Sequence, residues 1–190
     1  MILPIRAFGD AVLRKKCQPI SADYPDLKIL IDQMFETMSS ANGIGLAAPQ
    51  IGLDIRLFVV DVSSLANDED YIDIASKLKG FRKVFINAQI LEEFGEEWKF
   101  NEGCLSIPDV REDVKRKESI VIEYLDENFV KHTETFSDIR ARVIQHEYDH
   151  IEGILFTDHL SALKKKMVKG KLMKIANGDV NVNYKMRFPK

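Results

Sequence analysis

Two stretches of the chain carry a clear helical period. Leu27, Leu30, Ile31, Met34, Phe35 and Met38 return every three or four residues, which puts them on one face of an amphipathic helix over residues 25–39. Pro25 suits its first turn, Asp26 suits the positive end of the helix dipole, and Asn42-Gly43 ends it. A second helix is predicted over 138–152, with Ser137 as N-cap and Gly153 as stop. Its residues fall on three stripes: Ile139, Val143, His146 and His150; Ile144, Tyr148 and Ile151; and a polar set, Arg142, Gln145, Asp149 and Glu152. Two stripes of non-solvent character predict a central helix with sheet packed on more than one side. Histidines on a buried stripe cost free energy unless they have partners, so His146 and His150 are the first sign of chemistry.

Elsewhere the pattern is that of strands. Residues 55–62 (Ile-Arg-Leu-Phe-Val-Val-Asp-Val) read as a mostly buried strand, and 82–91 as another around Val84, Phe85, Ile86 and Ile90. Residues 118–125 and 129–136 predict a hairpin around Asp126-Glu127-Asn128. Ser63–Gly80, polar and acidic about Asn67-Asp68-Glu69-Asp70, reads as an excursion from the core with a short helical piece at 72–79. Short strands in succession predict antiparallel pairing. The fold class is therefore α+β: antiparallel β-sheets around the helix at 138–152, an N-terminal amphipathic helix, and a helical, variable C-terminal tail over 161–190.

Length and composition narrow the class. The 190 residues fit one domain, 1–190, and 10 glycines with 6 prolines are too few for a disordered chain. A net charge of −3 argues against a dedicated DNA-binding protein. Two cysteines exclude a disulfide scaffold. Arg6 and Asp10 interrupt any signal-like start, and no apolar run is long enough for a membrane span. A cytoplasmic protein with no membrane partner is expected. The net charge is an average, since a basic run, Lys164-Lys-Lys-Met-Val-Lys-Gly-Lys-Leu-Met-Lys174, offsets the acidic cluster. Gly170 should interrupt that run. It reads either as a solvated, partly helical tail or as a dock for ribosomal RNA.

The chemistry concentrates in three segments. In His146-Glu147-Tyr148-Asp149-His150 the histidines at i and i+4 point the same way, and both imidazoles reach one metal ion with the glutamate beside it. A catalytic site of this kind needs a third protein ligand and an open position. His159 lies downstream without a glycine-containing linker, whereas Cys104 stands upstream in Asn101-Glu-Gly-Cys-Leu-Ser-Ile-Pro108. One thiolate and two imidazoles leave a divalent site still able to acidify water. Third, Asn42-Gly-Ile-Gly-Leu-Ala-Ala-Pro-Gln-Ile-Gly52 packs small residues densely enough for close backbone approach. It lacks the lysine of a phosphate loop. Gln50 within it is a neutral donor able to face an oxyanion.

Together these segments resemble the peptide deformylase family. Its signatures Gly-x-Gly-x-Ala-Ala-x-Gln, Glu-Gly-Cys-Leu-Ser and His-Glu-x-x-His stand here in order as Gly43–Gln50, Glu102–Ser106 and His146–His150. The opening Ile2-Leu-Pro-Ile5, followed by Gly9-Asp10 and Val12-Leu13-Arg14, is similar to the family's N-terminal segment. The resemblance implies hydrolysis of the N-formyl group from the N-terminal formylmethionine of nascent peptides, releasing formate. It implies Cys104, His146 and His150 as ligands of one divalent metal, Fe²⁺ in the cell with Zn²⁺, Ni²⁺ or Co²⁺ as substitutes. Glu147 would move the proton from water to the departing amine, and Gln50 with the Leu105 N–H would meet the oxyanion. Gly43, Ile44, Gly45, Glu102, Gly103, Arg111, Ile139 and Val143 are the implied substrate contacts. Asp149 is expected to face Arg142 or Arg116, or solvent. Cys17, His132 and His159 read as structural or surface residues. Two rivals stand beside this: a zinc peptidase on the same helix, and a structural metal site, which would need Cys17, His132 or His159 as a fourth ligand.

Overall fold

In chain order the elements are β1 (Ile5–Arg6), α1 (Leu27–Ser40), β2 (Gly45–Ala47), β3 (Leu57–Asp61), α2 (Ala75–Leu78), β4 (Arg82–Cys104), β5 (Ile107–Leu125), β6 (Lys131–Ser137), α3 (Asp138–Ile151), α4 (Ala162–Ala176) and β7 (Met186–Arg187). They are taken from a computed structural model in which residues 1–189 are described. Strands β2-β3-β4-β5-β6 form one antiparallel sheet, and β1 pairs with β7 in a separate parallel ribbon. This is the α+β architecture with antiparallel sheet that the pattern predicted.

Strand β3 shows why the sheet sits where it does. Its run Leu-Phe-Val-Val is buried on both faces, so the side-chain alternation serves two cores. Leu57 and Val59 join the cluster containing Ile31, Met34, Phe35 and Met38 of α1. Phe58 and Val60 join the cluster containing Ile139, Val143 and Ile144 of α3. One helix therefore lies on each face. Each fully buried large apolar side chain contributes roughly 1.5–3 kcal/mol. Helix α3 packs against β2, β3, β5 and β6, so it is enclosed on several sides, and its supposedly polar stripe is not solvated. Arg142 and Gln145 are buried.

Strands β4 and β5 are far longer than the sequence pattern predicts. They form a hairpin of 23 and 19 residues whose register shifts at Ile86/Gln89, Ile90/Glu92, Phe94/Glu97 and Gly103/Cys104. Each shift reverses which residues face inward. The exposed stretch Glu92-Glu-Phe-Gly-Glu-Glu97 then hides the strand, because alternation fails there. The distal end of the hairpin carries Ile107, Val110 and Val114 into a third core with Leu155, Phe156, Val168, Leu172 and Ile175.

Other differences are local. Helix α1 begins at Leu27 rather than 25, because Asp26 has φ of +53° and breaks the helical backbone. The excursion after β3 is a run of 3₁₀ turns ending in α2, which lies within the helical piece expected at 72–79. Helix α4 runs unbroken through Gly170, where nothing crowds the backbone. Its start is capped by the Ser161 hydroxyl, which accepts from the Lys164 N–H. No described helix is long and apolar enough to cross a membrane.

Candidate metal centre

The distal hairpin turn and helix α3 meet at one point. Cys104 ends β4, and His146 and His150 stand one turn apart on α3, their rings 5.1 Å apart between centroids. One ligand atom from each of the three lies within 4.8 Å of the others. Cys104 Sγ is 3.2 Å from His150 Nε2. His146 Nδ1 meets Glu102 Oε2 at 3.0 Å, which assigns Nδ1 its proton and leaves Nε2 as the lone-pair nitrogen. Burial depresses the His150 imidazolium, and His146 beside it adds to this. Burial also opposes charge on His146, but its hydrogen bonds to Cys104 and Glu102 outweigh this and hold it well above the usual histidine range. The thiol and the two imidazoles thus converge on one point, where a divalent cation would be held.

Glu102 is the keystone of the surroundings. Its carboxylate, 3% exposed, accepts from Arg116 Nε at 2.7 Å and Nη2 at 3.1 Å, and from Arg142 Nη1 at 3.0 Å. Arg116 continues to Asp149 at 2.7 Å, and Asp149 to His159 Nε2 at 2.8 Å. Two guanidiniums and two carboxylates balance, so the network is neutral before the histidines are counted. Burial would raise the Glu102 carboxyl, but the His146 and Arg116 contacts hold it far below the usual carboxylate range. Asp149 takes Arg116, one of its two expected partners, while Arg142 goes to Glu102. His159, expected to be merely structural or at the surface, is tied to the same network.

Glu147 follows His146 on α3. Its carboxylate is buried, Oε2 has no partner in the chain, and burial raises its pKa to about 7. An ideal Cβ on Gly45 would stand 2.3 Å from Glu147 Oε1, so the glycine of β2 is what lets this carboxylate fit. Gln50 sits in the 3₁₀ turn after β2. Its Oε1 accepts from the Ala47 N–H at 2.8 Å, which aims Nε2 at Cys104 Sγ (3.5 Å) and Ser106 Oγ (3.3 Å).

These groups border a cavity of about 770 Å³. Gly43, Ile44, Gly45, Gln50, Glu102, Gly103, Cys104, Leu105, Arg111, Val143, His146 and Glu147 line it. Ile139 does not, being buried in the core two turns of α3 before His146, and His150 lies behind the wall. Arg111 is held at the rim by Asn101, through Nε to Oδ1 at 3.0 Å and Nη2 to the backbone carbonyl at 2.6 Å. Sequence reasoning missed Phe100, Asp109, Val110, Arg142 and, above all, the C-terminal residues Asn181–Tyr184, which also line the cavity. No local motif marks these. The fourth-ligand alternatives are elsewhere: Cys17 is buried in the core shared with Phe58 and Ile144, His132 pairs with Asp126, and His159 with Asp149. Among the described residues the cluster has three protein ligands, which suits a site with an open position.

Comparison with known proteins agrees. The family model described as polypeptide deformylase matches residues 2–166. The peptide deformylase of Christiangramia forsetii is 62% identical over 190 residues, covering 100% of this chain and 97% of the relative. That of Flavobacterium johnsoniae is 58% identical over 189 residues, covering 99% and 96%. The crystal structure of a peptide deformylase from Legionella pneumophila superposes with a TM-score of 0.80 at 36% identity, covering 94% of this chain and 98% of that one. The chain belongs to the polypeptide deformylase family, the hydrolases that remove the N-formyl group from nascent proteins.

Proposed function

We propose that Cys104, His146 and His150 hold one divalent cation, and that Glu147, Gln50 and the Leu105 N–H carry out deformylation beside it. The observation that carries this reading is the convergence of three ligand atoms next to a buried carboxylate with an unpartnered oxygen. The family is metal-dependent. The bound cation supplies Lewis acidity, polarising the formyl oxygen and making a water in the site more acidic. Ferrous iron is our assignment in the cell, with zinc, nickel or cobalt able to use the same one-thiolate, two-imidazole set.

The chain's own residues divide the remaining work. Glu147, with a pKa near neutrality, takes a proton from the attacking water and returns it to the departing amine as the C–N bond breaks. Formate and a free amino terminus result. The Gln50 amide and the Leu105 N–H meet the charge that develops on the formyl oxygen, and one such donor is worth about 10²–10³ in rate. Glu102 orients His146 through Nδ1. Strand β2 is an edge strand of the sheet, so Gly43, Ile44 and Gly45 receive the peptide backbone as an added strand. Ile44 and Val143 offer the methionine side chain apolar surface, with Ile139 behind them, while Gly103 and Arg111 flank the peptide.

Glu147→Gln tests the assignment. It should retain metal and lose most formate release from formyl-methionyl peptides; retained turnover would remove Glu147 from the mechanism. Release of formate without internal cleavage separates this reading from a peptidase.

Residues 1–190 act as one cytoplasmic domain in this reading, and within the C-terminal part, 161–190, helix α4 packs Val168, Leu172 and Ile175 into the third core. Helix α4 exposes Lys165, Lys166, Lys169, Lys171 and Lys174, with Leu163 and Met167 bare between them. This supports docking of the enzyme to the ribosome, where its substrate emerges. Reversing Lys165, Lys169 and Lys171 to glutamate should abolish salt-sensitive co-sedimentation with ribosomes; unchanged co-sedimentation would end the docking idea.

A further inference from the structure

The C-terminal segment does not trail away from the body. After α4 it returns along the N-terminal strand, with the Ile5 N–H donating to the Lys185 carbonyl and the Ala7 N–H to the Arg187 carbonyl, both at 2.9 Å. This β1–β7 ribbon flanks the turn that joins β4 to β5, and each of its strands reaches that turn. Tyr184 Oη donates to the Leu105 carbonyl at 2.8 Å. The Phe8 N–H donates to the Ser106 carbonyl, also at 2.8 Å. The two successive carbonyls of the turn are therefore fixed from outside, one by each end of the chain. The same turn presents the thiol of Cys104, the N–H of Leu105 and the Ser106 hydroxyl against Gln50. Among the described residues the Leu105 N–H meets no acceptor within the chain, as suits a donor kept for a ligand. Immediately before Tyr184, Asn181, Val182 and Asn183 line the cavity, and both asparagine side chains are exposed. The family match ends at residue 166, so Asn181–Tyr184 lie outside the matched region.

We propose that the segment Asn181–Arg187 is an active-site element: Tyr184 is a positioning residue that sets the Leu105 peptide for its role with the formyl oxygen, and Asn181 and Asn183 form a polar wall that pairs with the peptide beyond the formylmethionine. This rests on the reading of Leu105 as a donor to that oxygen. A carbonyl held by a phenol cannot rotate freely, so the Leu105–Ser106 peptide plane is restrained from one side, while Cys104, paired with Ile107 at the end of β4, holds the plane that carries the Leu105 N–H from the other. An amide-bearing wall offers both donors and acceptors to a backbone and no preference among side chains. The outcome is a site that tolerates varied sequences after the first residue while demanding a peptide long enough to reach the wall.

The test uses the full-length enzyme. Tyr184→Phe removes only the hydroxyl and keeps the ring packed against the core that holds Ile31, Met34 and Met38. Loss of one hydrogen bond of about 1 kcal/mol corresponds to roughly fivefold. Expected are a kcat lower by about that factor, KM for the shortest formyl-methionyl substrate within twofold, and faster amide hydrogen exchange in the peptide spanning residues 104–108. A purely structural role would lower the melting temperature and leave the kcat of the folded fraction unchanged. Asn181→Ala and Asn183→Ala should raise the ratio of KM for a formylated tetrapeptide to KM for a formylated dipeptide by a similar factor. Wild-type kcat and exchange in Tyr184→Phe, or an unchanged KM ratio in both asparagine variants, would overturn the corresponding half of the proposal. A wild-type enzyme that releases no formate would overturn the reading of the site itself and the proposal with it, whereas normal wild-type turnover beside an unaltered Tyr184→Phe overturns the positioning role alone.

Discussion

Gly45→Ala is the sharpest perturbation available at this site, because it adds one methyl group and no charge. The ideal Cβ would lie 2.3 Å from Glu147 Oε1 and 2.8 Å from both Cδ and Cγ. Contact of carbon with oxygen or carbon normally begins near 3.4 Å, so the overlap is about 1 Å. Neither side yields easily. Gly45 is fixed in β2 by its pairing with Val60, and Glu147 is buried on a helix packed against four strands. A carboxylate displaced by about 1 Å costs on the order of 10² in rate. The overpacking itself costs roughly 1–3 kcal/mol of stability. Gly43→Ala is the natural comparison. Its Cβ would meet Leu105 Cδ1 at 2.8 Å, the end of a flexible side chain, and the Met38 carbonyl at 3.3 Å. Rotation of Leu105 relieves the first contact, so a loss of no more than about tenfold is expected. Steady-state formate release on a formyl-methionyl tripeptide, with metal content and thermal melts on the same samples, distinguishes the two. If Gly45→Ala turns over within threefold of wild type at full metal content, Glu147 is not the positioned proton carrier described above.

Two further outcomes follow from the surroundings of the site. Glu102→Gln leaves Arg116 and Arg142 buried with reduced compensation, so a loss of about 3–5 kcal/mol in denaturant unfolding is expected. It should also weaken metal binding 10–100-fold in a chelator competition, because His146 loses its orienting carboxylate; unchanged affinity would show that His146 is held by packing alone. Cys17 behaves differently from Cys104: burial, with Asp54 nearby, raises its thiol from an ordinary 9.0 to about 12. Iodoacetamide at pH 8.5 should spare Cys17 in the native enzyme and label it in urea, as read by peptide mass mapping. The folded thiol keeps a proton that the unfolded chain releases, so its contribution to stability is intact below pH 9 and declines as pH rises toward 12. A native Cys17 alkylated at the rate seen in urea would contradict this.

Much of the candidate site's geometry was legible because it depends on local spacing. His146 and His150 share a helix face by periodicity alone, and Glu147 must then lie beside them. The two apolar helices and β3 were also legible, since their burial follows a single period. What could not be read was whatever depends on a change of period. Four register shifts in β4–β5 interrupt the alternation along a hairpin of more than forty residues, so its distal half carries no strand pattern. The polar stripe of α3 was misread for a related reason. Arg142 is charged, and charge predicts solvent, yet Glu102, the Trp98 carbonyl and the Val114 carbonyl accept from it inside the core. Pairing between segments forty residues apart has no signature in either segment.

The C-terminal residues extend the same lesson to the site itself. The run at 164–174 drew attention because its composition is unusual, while Asn181-Val-Asn-Tyr184 has none of the features that mark a motif. Its importance comes from where β1 places it. A two-residue strand is too short for any periodic signal, and a parallel pairing between the two ends of a chain has the longest possible sequence separation. Yet that ribbon brings a phenol to the carbonyl of Leu105 and a backbone N–H to the carbonyl of Ser106. The turn at Leu105–Ser106 is thus held by residues lying nearly a hundred positions before it and eighty after it. Substitutions at Asn181–Arg187 should therefore alter turnover at constant metal content, whereas substitutions on the exposed face of α4 should not.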